Sequence, residues 1–109
     1  MKNDPTGEAP RDRYLLRLFI AGTTPRSRRT IENLRRICDN HLADRFDLEV
    51  VDIYQQPDLA EINQVVAAPT LLKLLPPPLR RIIGDLSDEG RVLRGLDLPP
   101  SNPRNGDGR

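Results

Sequence analysis

The side chains able to do chemistry are few and poorly placed for it. The chain has one cysteine, Cys38, and one histidine, His41. A single Cys and a single His make no metal-binding cluster. Thiol–disulfide exchange needs a thiolate at a helix N-terminus, usually with a resolving thiol two residues on. The matching position here reads Thr23-Thr24-Pro25-Arg26-Ser27 and holds no sulfur. Cys38 falls about four turns further along the expected helix, on its apolar side, where a thiol is ordinarily a small core residue. His41 stands near the end of that helix, where an imidazole suits the negative end of the helix dipole. Asp52 and Asp85 lie at strand ends and can approach each other, but carboxylates there usually cap or form turns. No glycine-rich phosphate loop or nucleophile elbow is present. The expectation is a protein with no catalytic residue, no cofactor and no metal.

The bulk properties narrow the remaining classes. A chain of 109 residues forms one domain. Its 17 basic and 16 acidic residues leave a net charge of +1, which gives no general argument for nucleic acid or an anionic membrane as partner. Arg28, Arg29, Arg35 and Arg36 are most simply a solvated helix face, with protein docking as the next reading. No apolar run reaches the roughly 18–20 residues that span a bilayer, and the first residues lack the apolar core of a signal peptide. The expected location is the cytosol.

The elements that must position these side chains follow from periodicity. Residues 1–12 read as a disordered lead and residues 99–109 as a flexible tail, leaving an ordered domain over 13–98. Tyr14–Ile20 is a mostly apolar run ended by Gly22, as in a strand buried on both faces. Thr24 as N-cap and Pro25 at the first helical position open a helix to about Leu42. Ile31, Leu34, Ile37, Cys38 and Leu42 form its inner face, and Glu32 is placed to pair with Arg36. Residues 46–54 make a second strand. Pro57 opens a second helix, expected over 57–66 with Leu59, Ile62 and Val66 inward. Ser87 is the expected cap of a third helix, with Asp88 and Glu89 in its first turn and Gly95 late in it.

Between the last two helices lies the most informative stretch, Ala68-Pro69-Thr70-Leu71-Leu72-Lys73-Leu74-Leu75-Pro76-Pro77-Pro78-Leu79-Arg80-Arg81-Ile82-Ile83-Gly84-Asp85-Leu86-Ser87. The simplest reading is two strands, Thr70–Leu75 and 79–84, joined by a proline turn. A helical reading of Leu71-Leu72-Lys73-Leu74-Leu75 stays open, because the segment holds only good helix formers and its length does not separate strand from helix. The order is then βαβαββα, an α/β arrangement of a four-stranded mixed sheet with three helices. It resembles the thioredoxin-like fold, in which a proline, usually cis, precedes the third strand at the place of Pro69.

The chain also resembles the KaiB family. The resemblance runs from Tyr14 to about Leu98. It is carried by Leu18-Phe19-Ile20-Ala21-Gly22-Thr23-Thr24-Pro25, by Ala68-Pro69-Thr70-Leu71, by the segment from Leu75 to Ser87 with its three prolines, Arg80-Arg81 and Gly84-Asp85-Leu86-Ser87, and by Gly95-Leu96-Asp97-Leu98. The resemblance implies a binding protein of a circadian oscillator. Such proteins bind the N-terminal ATPase ring of the hexameric autokinase KaiC and change its phosphorylation state. In a complete oscillator they also sequester KaiA and displace a KaiB-like sensor kinase. It further implies a fold switch. The resting form is a tetramer of order βαββααβ, and the KaiC-binding form is a thioredoxin-like monomer of order βαβαββα.

By resemblance, Tyr14, Arg29, Lys73, Arg80 and Arg81 match partner-contacting positions, and changes at the positions of Gly95 and Asp97 favour the binding fold. Pro69, Pro76, Pro77 and Pro78 are candidate slow elements of the switch, since X-Pro isomerisation takes tens to hundreds of seconds. Glu49 and Gln64 stand where cyanobacterial relatives carry basic residues, and an acidic tail is missing. Those departures weaken the case for KaiA and leave room for an hourglass timer or a stress role. A thioredoxin-like adaptor or stress protein without thiol activity is the alternative from another class.

Overall fold

A computed structural model describes residues 13–98. The expected lead and tail lie outside the described residues. The element order is β1 (Tyr14–Ile20), α1 (Pro25–His41), β2 (Phe46–Asp52), α2 (Pro57–Ile62), β3 (Thr70–Leu75), β4 (Arg80–Ile83) and α3 (Glu89–Gly95). The sheet order is β2-β1-β3-β4. β1 pairs parallel with β2, so that Leu16 faces Leu48, and antiparallel with β3, so that Leu18 faces Leu71. β3 and β4 form an antiparallel hairpin in which Leu71 faces Ile82 and Lys73 faces Arg80. The segment 71–75, open between helix and strand in sequence, is strand in this packing. The bonds before Pro69, Pro76 and Pro78 are cis.

Strand alternation sends side chains to two unequal cores. Leu16, Leu18, Ile20, Leu71 and Ile82 pack with Leu34, Ile37 and Cys38 of α1 and Val92, Leu93 and Leu96 of the α3 region. On the opposite face Phe19, Val51 and Leu72 pack with Ala60 of α2. The six residues of α2 cover only part of that face. β1 is therefore not sealed on both sides. Its Arg17 turns to the open part and meets Glu49 of β2 at 2.7 Å.

α1 begins as its sequence dictates. Pro25 occupies the first turn, and the Thr24 hydroxyl accepts the Ser27 N–H at 3.0 Å. Thr30 is buried without penalty because its hydroxyl donates to the Arg26 carbonyl at 2.8 Å. The expected Glu32–Arg36 pair is not among the ion pairs of the described residues; Arg36 leans toward Asn33 instead.

Three boundaries correct the sequence reading. β2 ends at Asp52, because its carboxylate accepts the backbone N–H groups of Gly22 and Tyr54 and turns the chain. α2 ends at Ile62, four residues early. Gln64 adopts φ +58°, its N–H reaches the Glu61 carbonyl, and the Val65 N–H reaches the Ala60 carbonyl. That is a Schellman ending with Gln where Gly is usual. It turns Val65 inward and leaves Ile62 73% and Val66 94% exposed, opposite to their expected inward positions. Finally, Asp88 rather than Ser87 caps α3, accepting the Arg91 N–H at 3.1 Å. The Ser87 N–H is taken by Asp85.

Candidate functional site

Four of the residues singled out in the sequence meet at the C-terminal end of α3. The helix closes with a second Schellman pair, Asp97 N–H to the Arg94 carbonyl and Leu98 N–H to the Leu93 carbonyl. Asp97 takes the left-handed position at φ +62°, which short polar side chains tolerate. The turn aims its carboxylate back at the sheet. Lys73, only 1% exposed, donates to Asp97 Oδ2 at 2.6 Å. Arg80 donates to the same carboxylate through Nε at 3.1 Å and Nη2 at 3.2 Å. Lys73 and Arg80 are register partners on β3 and β4, so the hairpin presents two cations to one anion. The hydrogen bonds from Lys73 and Arg80 hold the Asp97 carboxyl below the usual aspartate range. Beside them Tyr14 is buried, and its hydroxyl donates to the Leu96 carbonyl at 3.2 Å. Tyr14, Lys73, Arg80 and Asp97 thus tie β1, β3 and β4 to the end of α3.

Arg81 faces the other side of β4. Its two terminal nitrogens donate to the carbonyls of Gln64 at 3.1 Å and Asn63 at 3.2 Å, gripping the turn that ends α2. Exposed Ile62 and Val66 flank that turn, and half-exposed Ile83 lies two residues along the strand on the side of Arg81. Arg29 is exposed on α1, and its charge helps to lower the Asp85 carboxyl, after the larger effect of the Ser87 hydrogen bonds. Pro76, Pro77 and Pro78 form the β3–β4 turn, remote in sequence from Gly95 at the end of α3.

Pro69 lines a cleft of about 160 Å³ with Ala21, Thr24, Arg26, Ser27 and Ala68. This is where thiol chemistry would reside. The hydroxyls of Thr24 and Ser27 are bonded to each other at 3.1 Å. Cys38 is buried elsewhere, and burial pushes its thiol up to about 12, so it stays protonated at neutral pH. Asp52 and Asp85 both serve as turn residues, Asp52 accepting the N–H groups of Gly22 and Tyr54 and Asp85 that of Ser87. Among the described residues no group of three or more His, Cys, Asp or Glu side chains could hold a metal ion, and no helix is long and apolar enough to cross a membrane.

One contact had no signal in the sequence. His41 Nε2 lies 2.7 Å from Glu89 Oε2, joining the end of α1 to the start of α3 across 48 residues.

A family profile described as the KaiB domain matches residues 17–98. A circadian clock oscillator protein KaiB from Prochlorococcus marinus (strain MIT 9313) is 52% identical over 90 residues, covering 83% of this chain and 76% of that relative. The chain belongs to the KaiB family. Its KaiB relative from Synechococcus sp. (strain RCC307) is likewise 52% identical over 90 residues and is covered to 82%. Among solved structures, the N-terminal domain of Synechococcus elongatus SasA superposes with TM-score 0.67 at 26% identity, covering 88% of this chain and 94% of that one. Mitochondrial thioredoxin 3 of Saccharomyces cerevisiae gives TM-score 0.62 at 20% identity, with coverage of 77% and 76%, and shares the fold alone. The fold is α/β and thioredoxin-like, and the KaiB relatives are named as circadian clock oscillator proteins.

Proposed function

We propose that this chain is a timing protein that binds the ATPase ring of a KaiC hexamer in its thioredoxin-like form and thereby alters KaiC phosphorylation. The observation that carries the reading is the 52% identity to KaiB clock proteins over nearly the whole described domain. The second form implied by the resemblance, the βαββααβ tetramer, belongs to the same proposal. Two packings interchange readily only when they differ by a few kcal/mol. The Lys73–Asp97–Arg80 junction and the end of α3 both lie in the half of the chain that would rearrange.

The geometry divides the partner-matching residues into two groups. Arg81 and Arg29 are exposed and are assigned to contact. Tyr14 and Lys73 are buried, and Arg80 is held by Asp97. These three are assigned to the interior of the binding-competent packing and not to direct contact. The contact surface is taken to include Ile62, Val66 and Ile83 around the Arg81 grip, since exposed apolar side chains beside a cation fit a protein interface better than solvent. KaiA and a KaiB-like sensor kinase are partners only where the same cell makes them.

The test is co-elution with the cognate KaiC hexamer in ATP. The reading expects a complex with wild-type protein and a weakened one with Val66→Asp. Separate elution of a folded wild-type chain at tens of micromolar would sink it.

A further inference from the structure

Gly95 is the last residue of α3 and does not owe its place to a left-handed backbone. Among the described residues the positive-φ positions are Ala43, Gln64, Leu86 and Asp97, with Gly22 and Gly84 among the glycines. What position 95 lacks is room. A Cβ there would lie 2.5 Å from Ile82 Cδ1 and 2.7 Å from Ile82 Cγ1. Ile82 cannot simply swing away. It is 5% exposed, β-branched and packed in the larger core with Leu71, Leu93 and Leu96. The glycine therefore lets α3 lie directly on β4. Asp97 follows two residues later, and Arg80 stands two residues before Ile82 on the same face of the strand.

We propose that Gly95 and Ile82 are a steric pair that fixes how closely α3 approaches the edge strand, and that this closeness brings Asp97 onto Lys73 and Arg80. The side chain at 82, rather than the helix propensity at 95, sets the cost of any substitution at Gly95 in this packing. The inference concerns the thioredoxin-like packing itself and does not require KaiC binding or a fold switch. If changes at 95 favour this packing, as the family resemblance implies, the other packing must lose still more, and the residue at 82 then controls the size of the shift.

The experiment is a double-mutant cycle on the full chain, with Gly95→Ala made in the Ile82, Ile82→Val and Ile82→Ala backgrounds. Unfolding is followed in denaturant and the Asp97 carboxyl by NMR titration, both on monomeric chain whose strand-like Cα shifts over residues 71–75 identify the thioredoxin-like packing. On helix propensity alone Gly95→Ala would lower the unfolding constant roughly fivefold. The steric pair predicts instead a rise of about tenfold with Ile82. The rise shrinks with Val, which lacks the atom at 2.5 Å but keeps the one at 2.7 Å, and vanishes or reverses with Ala. The Asp97 titration should move toward the ordinary range in Gly95→Ala and return in the double variants. If Ile82→Ala does not fold, the Val pair and the Asp97 titration decide the matter alone. An equal effect of Gly95→Ala in every folded background, or an Asp97 titration indifferent to residue 82, overturns the proposal.

Discussion

Lys73 Nζ lies 2.6 Å from Asp97 Oδ2, with the lysine buried and the aspartate at the surface. The arrangement neutralises a cation inside the sheet–helix core while leaving its counter-charge within reach of solvent. A buried ion pair of this kind is weak evidence for stability, because desolvating the lysine offsets much of the attraction. The pair marks where α3 ends relative to the β3–β4 hairpin, a position set by the close approach of Gly95 to Ile82.

Lys73 is accordingly expected to be replaceable by an apolar side chain of similar length. Lys73→Met should leave thermal stability within about 1 kcal/mol of wild type and should retain KaiC binding. Calorimetry with a binding titration checks both. A folded Lys73→Met protein that no longer binds would return Lys73 to the contact surface.

The Asp97 carboxyl should titrate below the ordinary aspartate value of about 3.9, chiefly because of the hydrogen bond from Lys73 and then that from Arg80. A depressed folded-state value means that its contribution to stability is present above the unfolded value and is lost as pH falls through the folded one. Carboxyl NMR titration of the chain in its thioredoxin-like form, identified by strand-like Cα shifts over residues 71–75, reads this directly. A midpoint at or above the ordinary value would show that the junction is open in solution.

Much of the fold could be read from residue types. The Thr24-Pro25 start of α1, the strand runs and the proline turn follow from local chemistry that the structure keeps. The end of α2 could not be read, because Gln64 occupies a left-handed position that sequence reasoning assigns to Gly. The cap of α3 was displaced by one residue because Ser87 and Asp88 are both good caps, and Asp85 had already engaged the Ser87 N–H. Lys73 resembles a surface cation in type. Strand alternation with Leu71 was the available signal that it points at the helical layer. The His41–Glu89 contact joins elements 48 residues apart and leaves no local trace.

Ile62 and Val66 contribute little to the core, so Ile62→Asp and Val66→Asp should change stability by no more than about 0.5 kcal/mol. Each is expected to weaken KaiC binding by roughly tenfold or more, as for a side chain near the centre of an interface. Denaturation curves and binding isotherms on the same preparations separate the two effects. Unchanged affinity in both variants would place the interface elsewhere.

Cys38 should be inert. With its thiol pushed up to about 12 by burial, reaction with a thiol reagent at pH 8 should proceed only as fast as the fold opens, and should speed up on addition of denaturant. Complete modification of the native protein within seconds would contradict the burial of this side chain in the α1 core.

If the form bound to KaiC is the thioredoxin-like one, residues 71–75, open to either reading in sequence, are a strand in the complex. Selective leucine labelling and the Cα secondary shifts of Leu71, Leu72, Leu74 and Leu75 in the KaiC complex test it most directly. Strand-like, upfield shifts are expected throughout β3, and helix-like, downfield shifts at these leucines in the bound state would rule out a thioredoxin-like bound form.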